Sequence, residues 1–256
     1  MARIEAFDRT WSRFRDDSLV SRIAREPGVW EFPDDAPPLF DLYRRLYVAT
    51  NGAVSPLVGR ALENLGYDRA YSLRPTGRPA TVPAWDAAVA WDGHALSTVR
   101  PVTLDVGAAG KGYLVDIICG MLAEAGHDEY VVDGSGDIRQ HGAGPIRVGL
   151  EHPLDTTKAI GIANLHGNAI CSSATNRRAW GEGMHHVIDA TTGLPTSRII
   201  ATWAVAATAL EADGLSTALF FADPAHLSAE FDFSYVRMTS AGRVESSPNL
   251  DGELFT

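Results

Sequence analysis

From Leu104 to Tyr113 the chain reads Leu-Asp-Val-Gly-Ala-Ala-Gly-Lys-Gly-Tyr, and the apolar helical pattern Leu114-Val-Asp116-Ile-Ile follows at once. Five small residues within six positions leave little side chain between a strand and a helix. The reading is a short strand after Pro101 ending at Val106, a tight bend, and a helix from about Lys111 to Ala125. Such a bend lets other groups approach the backbone closely. Amides at the start of a helix, with the helix dipole behind them, favour negative charge. Lys111 adds a point charge suited to phosphate. Gly107, Gly110 and Lys111 are therefore candidates for holding an anionic ligand. The spacing fits neither the dinucleotide fingerprint nor the phosphate-binding loop of NTPases. A tight strand–helix turn beside a solvated lysine is the plain alternative.

The chain around this segment mixes helices and meanders, which points to an α+β fold rather than a doubly wound sheet. Phe7, Trp11 and Phe14 recur at helical spacing, and Asp16-Asp17-Ser18 caps a second short helix through Ile23. Helices are expected from Pro38 to Tyr47, closed by Asn51-Gly52, and from Pro56 through Leu65. Residues 73–85 read as a loop. Residues 88–99 read as a hairpin turning at Asp92-Gly93. A strand over 129–132 ends at Asp133-Gly-Ser-Gly-Asp137, and 146–151, 159–165 and 169–172 read as a meander. Strand 201–207 leads into a helix that stops before Pro224, and residues 233–246 form a last hairpin.

With 256 residues, 45% of them hydrophobic, the chain is long enough for a substantial core, as one large domain or two closely packed lobes. Its net charge of −10 argues against a general nucleic-acid surface. No stretch approaches a membrane span, and the first residues lack the apolar core of a secretion signal, so a cytoplasmic location is expected for the chain as given. Cys119 and Cys171 read as reduced core residues. Monomer and homodimer both stay open.

Three further segments carry candidate chemistry. Asp133-Gly-Ser135-Gly136-Asp137 is a small-residue loop that could cradle a flat ring or serve as a surface turn. In His185-His-Val-Ile-Asp-Ala-Thr-Thr-Gly-Leu-Pro195, His186 and Asp189 suit a general base and its orienting partner. A half-buried histidine bonded to its own turn is equally consistent. Adjacent histidines in a strand point to opposite faces, which argues against zinc. Asp213 and Thr217 stand one helical turn apart and offer oxygen ligands to a hard cation such as Mg²⁺. A helix cap and a packed threonine would also explain them.

Taken together, these segments resemble the ApbE family of flavin transferases. The pattern Asp-Leu-Gly-Gly-x-Ala-Lys-Gly-Tyr-x-x-Asp is met by Asp105, Gly107, Lys111, Gly112, Tyr113 and Asp116. The Gly-Gly-Asp-Ile loop appears as Ser135-Gly136-Asp137-Ile138. The pattern His-Ile-Ile-Asp-Pro-x-Thr-Gly-x-Pro appears at His186 to Pro195, and Ala-Asp-Ala-x-x-Thr-Ala at Ala212 to Ala218. The similarity spans about residues 8 to 240.

The resemblance implies a two-lobed α+β fold with mixed and antiparallel sheets and FAD in a cleft between the lobes. It implies Mg²⁺ held by the Ala108 carbonyl, Asp213 and Thr217, with Gly107, Gly110, Lys111, Asp116, Ser135, Gly136, Asp137 and Ser173 toward the flavin nucleotide. The implied reaction is Mg²⁺-dependent transfer of FMN from FAD to a Ser or Thr hydroxyl of an acceptor flavoprotein, releasing AMP. His186, oriented by Asp189, is the candidate base. An FAD pyrophosphatase and a non-catalytic flavin binder are the rival readings. The chain departs from the family at Ala24, Ser55, Ser135, Ala190 and Ser172-Ser173-Ala174, and the strand with which members usually begin is not seen.

Overall fold

The structure is a computed structural model and describes residues 1–77 and 80–255. Residues 78 and 79 of the expected loop lie outside the described residues. In chain order come helices α1 (Ala2–Trp11) and α2 (Leu19–Ile23), strand β1 (Gly28–Glu31), and helices α3 (Pro37–Ala49), α4 (Gly59–Asn64) and α5 (Trp85–Ala88). Strands β2 (Val89–Trp91) and β3 (Ala95–Thr98) precede helix α6 (Gly110–Glu124). Then follow β4 (Tyr130–Asp133), β5 (Asp137–His141), β6 (Ile146–Glu151), β7 (Ala159–Leu165) and β8 (Ala169–Ala174). Short strands β9 (Ala179–Trp180), β10 (Met184–His185), β11 (Ile188–Asp189) and β12 (Leu194–Pro195) lead to the long β13 (Ile199–Ala206). Helices α7 (Ala209–Ala218) and α8 (Pro224–Glu230) and strands β14 (Ser234–Thr239), β15 (Val244–Ser246) and β16 (Gly252–Leu254) complete the chain.

Two compact units emerge, each built from two stretches of sequence. The first comprises Met1–Ala108 and Ala179–Thr196. Its sheet runs β1-β3-β2, all antiparallel. An aromatic cluster supports this sheet: Phe40 stacks on Trp91 at 4.2 Å and meets Phe32 edge-on at 4.9 Å, with Trp11 at 5.5 Å. Such ring pairs add to the burial of their area. A second cluster gathers Leu62, Leu65, Tyr67, Trp180 and Ile188, and the Trp180 indole donates to the Leu65 carbonyl at 2.9 Å.

The second unit comprises Ala109–Arg178 and Ser197–Thr256. Its centre is a six-stranded antiparallel sheet in the order β15-β14-β13-β8-β5-β4. Side chains alternate along β13, as strand geometry requires. Ala201 and Trp203 join Ile170, Val236 and Met238 in a buried layer with Leu150, Ile160 and Leu165 of the smaller sheet β16-β7-β6. Thr202 instead points to α7, where its hydroxyl donates to the Ser216 carbonyl at 2.6 Å. The large sheet thus buries apolar residues on one face and carries the helix of Asp213 on the other.

Several sequence expectations need correction. No strand forms between Pro101 and Val106; the stretch is tied to Pro56, whose carbonyl accepts from Asp105 N at 2.7 Å. The expected meander breaks after β7: β8 pairs with β5 and β13 in the larger sheet. Strands β1 beside β3, β5 beside β4 and β16 beside β7 were unforeseen, as were the short pairs β9–β10 and β11–β12. Pro56 opens a 3₁₀ turn, with α4 starting only at Gly59. Pro224, expected only as a stop, begins α8 behind its Asp223 cap. No helix among the described residues is long and apolar enough to cross a membrane.

Candidate functional site

In the second unit, the first turn of α6 has no side-chain cap of its own. Its Gly112 amide donates to Asp213 Oδ2 at 2.9 Å, so a carboxylate from α7 takes the place of a cap. Gly112 is required here: a Cβ would fall 2.1 Å from the Ala209 carbonyl oxygen and 2.7 Å from Asp213 Cβ. Asp213 is 4% exposed. Burial pushes its carboxyl well above the usual carboxylate range, and the negative charge of Asp137 adds to this, while Lys111 opposes it.

Asp137 opens β5, and its side chain is wholly buried. Burial raises its carboxyl pKa against the pull of Lys111. Lys111 Nζ stands 2.8 Å from Asp137 Oδ2 as an ion pair and donates to the Ser135 carbonyl at 3.2 Å. Neither Asp137 oxygen has a well-directed hydrogen-bond donor. Two buried carboxylates offset by one half-exposed lysine are costly unless a further positive charge is present. The donor set therefore fits a hard cation.

Other sequence-expected residues of this unit take definite places. Ser135 adopts φ +65° and Gly136 φ +97°, and Gly136 N donates to Asp133 Oδ1 at 3.0 Å. Ser173 Oγ lies 2.8 Å from Ser216 Oγ, whose own proton goes to the Asp213 carbonyl at 2.8 Å. Thr217 is half-buried one turn beyond Asp213. Asp116 turns toward protein: its carboxylate accepts from Ala209 N at 3.0 Å and Leu210 N at 2.8 Å, and pairs with Arg139. Gly110 is buried as the first residue of α6.

Sequence reasoning missed Ser216 and Arg139. The signal for Ser216 was present, since Ser-Thr in mid-helix is unfavourable unless the hydroxyls have partners. Arg139 offered no signal, because its partner lies 23 residues away on another element.

In the first unit, Asp105 closes the bend onto itself: Gly107 N donates to its Oδ1 at 2.7 Å. Its Oδ2 takes the Nε of Arg13, a side chain only 3% exposed that rests on the rings of Phe14 and Tyr67. The Ala108 amide donates to the Tyr43 hydroxyl at 3.3 Å. These bonds hold Gly107 and Ala108; the boundary between units falls after Ala108.

His186 is half-buried between β10 and β11. Its neighbour His185 is buried, with Nε2 2.7 Å from the Thr196 carbonyl and Nδ1 accepting from Val187 N at 3.2 Å. Burial lowers the His185 pKa. Asp189 Oδ1 accepts from Thr191 N at 2.8 Å and from the Thr191 hydroxyl at 2.6 Å, binding this carboxylate to its own turn. Among the described residues no three His, Cys, Asp or Glu side chains gather as a metal cluster. The expected set of one carbonyl, one carboxylate and one hydroxyl does not require one.

The model of the ApbE family matches residues 1–232. The FAD:protein FMN transferase of Klebsiella pneumoniae (strain 342) is 26% identical over 250 residues, covering 87% of this chain and 70% of its own. That of Salmonella typhimurium (strain LT2) is 27% identical over 240 residues, covering 85% and 68%. The ApbE protein of Thermotoga maritima superposes with a TM-score of 0.84 at 23% identity, over 96% of this chain and 88% of that one. The flavin transferase ApbE of Vibrio cholerae gives 0.78 at 24%, over 95% and 85%. At that identity the structural likeness is one of fold.

Proposed function

Because this chain belongs to the ApbE family, we propose that it transfers the FMN moiety of FAD to a Ser or Thr hydroxyl of an acceptor protein, releasing AMP. The observation that carries the reading is the buried Asp213–Asp137 pair beside Lys111, at the first turn of α6. That arrangement calls for a cation and leaves room in its shell for phosphate oxygens.

In this reading Asp213 and Thr217, with the Ala108 carbonyl, hold Mg²⁺. Bound there, the ion supplies charge to offset the pyrophosphate and the negative charge that develops on it. Lys111 adds to this from the first turn of α6. The acceptor oxygen attacks the FMN-side phosphorus, the bond between the two phosphates breaks, and AMP leaves with the bridging oxygen. His186 takes the hydroxyl proton, and Asp189 orients it. The Ser135-Gly136-Asp137 loop and Ser173 belong to the flavin side.

The test is mass spectrometry of a candidate acceptor incubated with the protein, FAD and Mg²⁺, with AMP followed in parallel and EDTA as control. A metal-dependent gain of FMN mass on a Ser or Thr is the expected result. AMP release without modification across a panel of acceptors would replace transfer by hydrolysis. Bound FAD with neither product would reduce the protein to a flavin binder.

A further inference from the structure

Helices α6 and α7 exchange carboxylates at their N-terminal turns. Asp213 of α7 accepts from the Gly112 amide of α6, and Asp116, one turn further along α6, accepts from the first two amides of α7. The Asp116 oxygens divide the work: Oδ1 takes Ala209 N together with Arg139, and Oδ2 takes Leu210 N. Between these bonds the helices meet backbone to backbone, since a Cβ at Gly112 would fall 2.1 Å from the Ala209 carbonyl oxygen. The exchange sets how far α7 can slide or turn against α6.

We propose that Asp116 is a positioning residue for the cation held by Asp213 and Thr217. The proposal rests on the Mg²⁺ reading above. Both side-chain ligands of the cation sit on α7, four and eight residues after its first amide, so a shift of the helix start displaces both oxygens together. The Thr208 hydroxyl accepts from Glu211 N at 3.2 Å and caps α7 by itself. Helix formation and helix placement are therefore separable. Partners that orient metal ligands are typically worth about 10- to 100-fold in metal affinity.

The experiment measures Mg²⁺ binding to the FAD-free protein by calorimetry and by the Mg²⁺-induced rise in melting temperature, with the Mg²⁺ dependence of AMP release alongside. Asp116→Asn is expected to weaken Mg²⁺ binding about tenfold and leave the KM for FAD at saturating Mg²⁺ unchanged. Amide exchange should quicken at Ala209 and Leu210. Thr208→Ala, the control, should lower the melting temperature without moving the Mg²⁺ constant. Asp116→Glu keeps charge and both oxygens on a longer arm and covers the case in which the Asn variant does not fold; an intermediate Mg²⁺ constant is expected. An unchanged Mg²⁺ constant in the folded variants overturns the proposal and leaves Asp116 a stabilising cap. Asp213→Ala separates the two levels: if it still binds Mg²⁺ normally the metal reading itself falls, and if it does not, the outcome for Asp116 stands alone.

Discussion

The α6/α7 pair and the Ile188–Pro195 turn each present an acidic residue that the sequence offers for chemistry, yet their surroundings differ. Asp213 and Asp137 are buried with one amide and one lysine between them, and both carboxyls are pushed upward. Asp189 is half-exposed, and its Oδ1 is engaged by the backbone and hydroxyl of Thr191. A carboxylate satisfied by its own turn has a structural reason to exist. A buried carboxylate short of donors costs stability and implies something further that binds it.

The sharpest way to break this contrast is Asp213→Ala. Turnover should fall by about 10²–10³-fold or more, since a charge-stabilising group for the transition state is lost with its ligand. The metal-free protein should change little in melting temperature, because the lost buried repulsion is offset by the Gly112 amide left without its acceptor. Full AMP release in that variant would end the argument for this pair. His186→Gln is expected to slow transfer by about 10²-fold, the usual share of a general base, with the KM for FAD little changed. Asp189→Asn keeps the acceptor oxygen of the turn and removes the charge, so a drop in rate at unchanged stability separates orientation of His186 from turn formation.

A smaller effect concerns pH. The His185 ring is neutral by its bonds, and burial holds its pKa below the ordinary value of about 6.5. Its contribution to stability is complete above that unfolded value and is lost as pH falls through the folded one. Chemical denaturation of the wild type and of His185→Gln should therefore converge on acidification. Parallel pH profiles would remove His185 from the account. The smallest effect is Ser135→Gly. An L residue at φ +65° is strained, so the change should stabilise by about 0.5–1 kcal/mol after the entropy cost of glycine. A loss of stability on denaturant titration would mean that the Ser135 side chain has a task of its own.

Much of this was legible in the chain itself. Ser18 caps α2 as expected, accepting from Ser21 N at 3.1 Å, and Asn51-Gly52 closes α3 with two positive φ angles. The Asp92-Gly93 hairpin and α6 stand within a residue or two of their expected positions, and α7 forms around Asp213 but ends at Ala218, well short of Pro224. These signals are local, carried by caps, turns and the 3.6-residue period. What failed was non-local. The stretch before Val106 has strand-like composition and pairs with no strand, and β8 lies in a different sheet from β7 although only three residues separate them.

For the candidate site the division is the same. The sequence by itself determined which residues carry oxygen or charge, that Asp213 and Thr217 share a helix face, and that Lys111 opens a helix after a small-residue bend. Spacing of 3.6 residues per turn and the steric demands of glycine act over a few positions, so those facts need no partner. Only the tertiary structure decided that Asp137 is fully buried beside Lys111, that Asp116 caps α7, and that Gly112 is small because Ala209 crosses it. Each depends on segments 26 to 97 residues apart meeting in space. Burial, which converts a carboxylate from an ordinary surface charge into one that requires a partner, is a property of the packed chain and appears in no single stretch of it.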